Sequence, residues 1–161
     1  VLRKAGEAGQ AASLRKPFSP RRPDREAYQH FTTFWKQCMI SPVPDRLHQS
    51  GAYLYQLPSG LPELSNLKQL HPGWWLGAIK TGRFEPSHAL AQGIQSSYVK
   101  RTHDLQPDDP QVLAYLRGSS LPEPGEAGWV LLTVFGYPLG WGKRSAGVIK
   151  NLYPRGLRWQ G

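Results

Sequence analysis

A single cysteine, Cys38, stands in a chain of 161 residues. No internal disulfide can form, and a metal centre built on thiolates, which takes several cysteines, is excluded. Such cysteine usage suits a reducing cytosol, so a cytoplasmic location is expected. The five histidines, His30, His48, His71, His88 and His103, lie far apart and lack the His-Glu-x-x-His spacing that sets two imidazoles on one helix face. No resident metal is expected. Long hydrophobic runs are missing too. No stretch approaches the roughly 20 apolar residues of a membrane span. Val1-Leu2-Arg3-Lys4-Ala5 leads into Gly, Ala and Gln rather than into the apolar core of a secretory leader. Acidic residues are few, 11 against 20 Lys and Arg, for a formal net charge of +9. That balance calls for an acidic partner, and nucleic acid comes before a membrane surface.

The familiar catalytic signatures are also lacking. Gly140-Trp141-Gly142-Lys143 looks faintly like a phosphate loop. Its spacing from Gly136 is one residue too long, and Arg144 stands where Ser or Thr would hold magnesium. There is no strand, glycine loop and helix unit for a dinucleotide or S-adenosylmethionine, and no Gly-x-Ser-x-Gly elbow. Asp108-Asp109 pairs two carboxylates, but Pro110 behind them makes the pair a helix start. The chain is not read as an autonomous enzyme.

What is present is punctuation. Seventeen glycines and 15 prolines, with 39% hydrophobic residues, predict a real core built from short strands joined by turns. Residues 1–23 form a basic linker or tail in which Lys16-Pro17-Phe18-Ser19-Pro20-Arg21-Arg22-Pro23 breaks any helix. From Asp24, a capping residue, Tyr28, Phe31, Phe34, Trp35, Cys38 and Met39 recur at helical spacing until Ser41-Pro42, so residues 24–44 are a helical connector. Cys38 on that stripe is a small buried thiol. Strands are predicted at Gly51–Leu57, Leu67–Leu70, Trp74–Lys80, Trp129–Phe135, Leu139–Lys143 and Val148–Lys150. Short helices start at Pro86-Ser87 and at Asp109-Pro110. The fold class is mainly β with short helices, a closed or nearly closed barrel over residues 45–161.

No acidic residue follows Glu126, whereas Lys143, Arg144, Lys150, Arg155 and Arg158 do, interleaved with Tyr137, Trp141, Tyr153 and Trp159. Cations meet phosphates and aromatic faces stack unpaired bases, at roughly 1–3 kcal/mol per base. The alternative is that Trp141 and Tyr153 fill the barrel while the cations are merely solvated. A second basic group is Lys80 with Arg83, followed by His88 at the first turn of a helix.

Two segments then carry a resemblance. One is Leu76-Gly77-Ala78-Ile79-Lys80-Thr81-Gly82-Arg83-Phe84-Glu85-Pro86-Ser87-His88-Ala89-Leu90. The other is Gly136-Tyr137-Pro138-Leu139-Gly140-Trp141-Gly142-Lys143 with Lys150-Asn151-Leu152-Tyr153-Pro154-Arg155-Gly156-Leu157-Arg158. Together they resemble the C-terminal PUA-like domain of RsmF-type rRNA methyltransferases, in the Sun family of RNA cytosine methylases. The resemblance implies an RNA-binding appendage that positions ribosomal RNA for an upstream domain, where methyl transfer from S-adenosylmethionine to cytosine carbon-5 uses two cysteines. This chain lacks that domain and the cysteine pair, and starting at Val1 it is expected to be a fragment. The candidate RNA contacts are Lys80, Arg83, His88, Lys143, Arg144, Lys150, Asn151, Tyr153, Arg155 and Arg158. Two other readings stay open. One is a protein-interaction domain docking through Trp74, Trp75 or Trp159 on the methylase or a ribosomal protein. The other is a stand-alone small RNA-binding protein.

Overall fold

The computed structural model describes residues 20–59 and 71–160. The strand expected at 67–70 and most of the basic tail lie outside the described residues. Helix α1, Arg25–Cys38, begins where the Asp24 carboxylate accepts a hydrogen bond from the Ala27 amide at 2.8 Å. Gln49 ties this cap to the body, accepting from the Asp24 amide at 2.8 Å and donating to its carboxylate at 3.0 Å. These bonds hold the Asp24 carboxyl below its usual range, the Ala27 amide contributing most. At the other end Met39 turns extended, ahead of Pro42.

Two sheets follow. The first runs antiparallel in chain order through β1 (Leu47–Ser50), β2 (Tyr53–Gln56), β3 (Trp74–Lys80) and β4 (Arg83–Pro86). Helix α2, His88–Gly93, starts at Ser87, whose hydroxyl accepts from the Leu90 amide at 2.9 Å. The second sheet contains β5 (Thr102–Leu105), β6 (Leu121–Pro122), β7 (Gly128–Val134), β8 (Tyr137–Ser145) and β9 (Val148–Asn151). Its order is β5-β7-β8-β9-β6, antiparallel except for β5 beside β7. Helix α3, Pro110–Leu116, is capped by Asp109 and has proline in its first turn. The second sheet curls into a half-barrel. At its open seam His103 of edge strand β5 stands 3.8 Å from Glu123, the residue after edge strand β6.

Strand alternation gives the second sheet two different faces. Trp129, Leu131 and Trp141 share the outer one, Leu131 lying opposite Trp141. There α1 joins the two sheets. The Phe34 ring is 5.0 Å from Phe84 on β4, 5.5 Å from Trp129 and 6.0 Å from Trp141. The inner face places Val130, Leu132, Ile149 and Leu121 around Tyr115 of α3. Glycines make this packing possible: a Cβ on Gly140 would lie 2.5 Å from the Tyr115 hydroxyl oxygen, and one on Gly142 would strike Ile149.

The sequence reading located α1, β2, β3, α2, α3, β7, β8 and β9 and set the fold as mainly β with short helices, which the structure bears out. The strand expected at 51–57 is β2, with Gly51-Ala52 turning the chain from β1, which was not expected. Strands β4, β5 and β6 were not expected.

Candidate nucleic-acid interface

Register decides where the cations go. Across β7, β8 and β9, Trp129 lies opposite Lys143 and Lys143 opposite Lys150, so the three side chains form one row on the outer face. The Lys143 ammonium sits 5.7 Å from the centre of the Trp129 ring. Lys143 and Lys150 are exposed, and no described carboxylate approaches either within salt-bridge distance. Two cations that the sequence reading did not single out flank this row. Arg101 lies against the backbone of Gly128, 3.2 Å from Glu126, and Lys100 donates to the Lys36 carbonyl at 2.6 Å. Both serve the last turn of α1, where carbonyls carry partial negative charge. The adjacent pair Lys100-Arg101 just before β5 was the available signal.

Arg144, next along β8, points to the opposite face and is only 9% exposed. Its guanidinium lies under Gly125, and its Nε has no hydrogen-bond partner. The expectation that Arg144 is a surface contact is therefore corrected, because strand alternation turns it inward. Asn151 is corrected likewise. It is buried, donates to the carbonyls of Tyr115 at 2.7 Å and Ser119 at 2.9 Å, and accepts from the Tyr153 amide at 2.8 Å. Its work is to fasten β9 to α3.

The two sequence motifs meet in space. The His88 ring is 5.2 Å from that of Tyr153, which is 5.5 Å from Tyr115. Tyr115 in turn donates to the Trp141 carbonyl at 2.9 Å. Burial depresses the His88 pKa and raises that of Tyr115, so the imidazole is a neutral surface near pH 7. Just beyond, Arg155 is exposed in a single 3-10 turn, Arg155–Leu157. Arg158 reaches the Tyr153 carbonyl at 3.5 Å and rests on Gly118. Lys80 and Arg83 are exposed at the tip of the β3–β4 hairpin in the first sheet, with Arg83 3.7 Å from Glu85. The cations thus fall into three groups, not one wall: the β8–β9 row, the C-terminal turn and the β3–β4 tip.

Of the three tryptophans considered as docking anchors, Trp74 and Trp75 are half-buried and donate their indole N–H to the carbonyls of Ala89 and Gly77. Trp159 is 54% exposed, with the Arg117 guanidinium 5.8 Å from its ring centre. Burial pushes the Cys38 thiol up to about 12, which leaves it no thiolate character near neutrality. Among the described residues no three His, Cys, Asp or Glu gather to hold a metal, and no helix is long and apolar enough to cross a membrane.

A curled five-stranded sheet, its α3 plug and the motif contact between His88 and Tyr153 define a PUA-like domain packed on the four-stranded first sheet. The family is settled by two consecutive matches, the methyltransferase RsmF PUA domain over residues 102–159 and the RsmF rRNA methyltransferase first C-terminal domain over residues 33–94. The chain belongs to the C-terminal region of RsmF-type rRNA methyltransferases. The matches part the chain between residues 94 and 102, whereas the sequence reading treated 45–161 as one domain.

Proposed function

We propose that this region binds ribosomal RNA and holds it for a cytosine-methylating domain elsewhere in the same cytoplasmic protein, where S-adenosylmethionine supplies the methyl group. One observation carries the reading. Lys143 and Lys150 face each other directly across β8 and β9. Like charges so placed destabilise a sheet, and no acidic residue beyond Glu126 offsets them. A polyanion laid along the row removes that repulsion and releases its own counterions. Lys80, Arg83, Arg155 and Arg158 supply further phosphate contacts at the edges, the arginines through planar two-pronged hydrogen bonding. Tyr153 and His88 offer ring surface between them.

Filter binding of rRNA fragments over a range of salt tests this. The affinity should fall steeply with salt, and Lys143→Ala with Lys150→Ala should lower the log–log slope by about 1.4 on single strands, at about 0.7 per phosphate. A flat salt dependence in the unaltered chain rejects the reading. If binding to the methylase domain rather than to RNA depends on Trp159, the protein-docking alternative takes its place.

A further inference from the structure

Strands β7 and β8 are joined by a two-residue turn, Phe135-Gly136, both with positive φ (50° and 77°), since Val134 pairs with Tyr137. This is the backbone of a tight hairpin turn that favours Asn-Gly, and a bulky aromatic at its first position is strained. The strain holds an aromatic pair in solvent: Phe135 is 63% exposed and Tyr137 77%. The tip is nevertheless fixed. The Asp104 carboxylate accepts from the Thr133 hydroxyl and from the Gly136 amide, and the Phe135 amide donates to Leu105.

Beside the tip runs a cleft of about 310 Å³, lined by Gln92–Ser96, Gly136, Tyr137 and Pro138. It shares Gly93, Ile94 and Gln95 with a second hollow of about 390 Å³ that reaches Trp74 and Tyr98. Neither is lined by a charged side chain. Gln92 spends its N–H groups on the carbonyls of Pro138 and Leu139, which orients its oxygen as an acceptor. Gln95 makes no capping bond to the turn behind it. One helical turn back from Gln92 stands His88, in contact with Tyr153, whose carbonyl meets Arg158. From the uncharged cleft, α2 leads through His88 and Tyr153 to a cationic segment.

We propose that this cleft is a subsite for one unpaired nucleobase of single-stranded RNA, stacked on Tyr137 and edged by Gln92, Gln95 and Ser96. The inference rests on the RNA-binding reading above. A base needs a π-face for stacking and amide groups for its polar edge, and the strand that runs on from it needs cations for its phosphates. The cleft and the Arg155–Arg158 segment supply these in that order.

The test uses the full chain and a single-stranded rRNA-derived oligonucleotide carrying 2-aminopurine, whose fluorescence drops on stacking. Binding should quench it. Tyr137→Ala should abolish the quench and weaken binding about ten- to a hundred-fold, with the salt slope unchanged because no cation is removed. A melting curve of Tyr137→Ala that matches the unaltered chain shows that the tip still folds in it. Steep salt dependence with Tyr137→Ala indistinguishable from the unaltered chain overturns the subsite alone. Absence of any salt-dependent binding overturns the RNA reading and the subsite together. Unaltered RNA binding with lost association to the methylase domain assigns the cleft to protein and overturns the base assignment.

Discussion

Phe135 stands where the backbone favours glycine or asparagine, so its side chain costs stability. Phe135→Asn should raise the unfolding free energy by about 1 kcal/mol, seen as a higher denaturant midpoint at unchanged slope. Asn151 works in the opposite sense. Asn151→Ala leaves the Tyr115 and Ser119 carbonyls without their donor and should cost about 2 kcal/mol, while RNA affinity of the folded fraction stays as it was. A large loss of affinity in folded protein would return Asn151 to the interface. At this scale the sequence was half legible. The period of two along a strand already requires Lys143 and Arg144 to point apart, so both could not have been surface contacts on one face, and the packing of Gly125 over Arg144 decides which of them turns inward. That Asn151 is spent on the carbonyls of Tyr115 and Ser119, 36 and 32 residues away, could not have been read, because nothing local encodes it.

Elements with local signals were legible. Asp24 and the Phe31, Phe34, Trp35 stripe announce α1, Asp109-Pro110 announces α3, and the apolar run of β7 announces itself. Strand β5, with the sequence Thr-His-Asp-Leu, carries one buried side chain and owes its strand state to parallel pairing with β7. Strand β6 has two residues and exists because β9 offers an edge. His88, at the head of α2, lends itself to a pH prediction. Its folded pKa is depressed by burial, so the unfolded chain binds more protons between that value and about 6.5. Its contribution to stability is then whole above about pH 6.5 and is lost as pH falls through the lower folded value. The melting temperature should drop from about pH 7.5 to about pH 5.5, and His88→Gln should flatten part of that drop. His48, shifted the same way mainly by burial, supplies another part, and an unflattened curve in His88→Gln would show that α2 does not sense pH.

Over the whole molecule, charge and core pull in different directions. Relieving the Lys143–Lys150 repulsion with Lys150→Ala should raise the melting temperature in low salt and lose that advantage in high salt, where screening does the same work. If the gain persists at high salt, its source is not the opposed charges. Phe34, seated among Phe84, Trp129 and Trp141, belongs to both sheets at once. Phe34→Ala should cost about 3–5 kcal/mol and lower amide exchange protection in β3 and β7 together. Loss confined to one sheet would mean that they are independently stable.

That shared ring bears on how the chain can be divided. A cut between residues 94 and 102, where the two family matches part, would strip Trp129, Leu131 and Trp141 of the helix that roofs them. The 102–159 piece would then carry a bare aromatic shelf into solvent. Produced by itself it should self-associate or bind a hydrophobic dye, and supplying residues 20–94 as a separate polypeptide should reverse both.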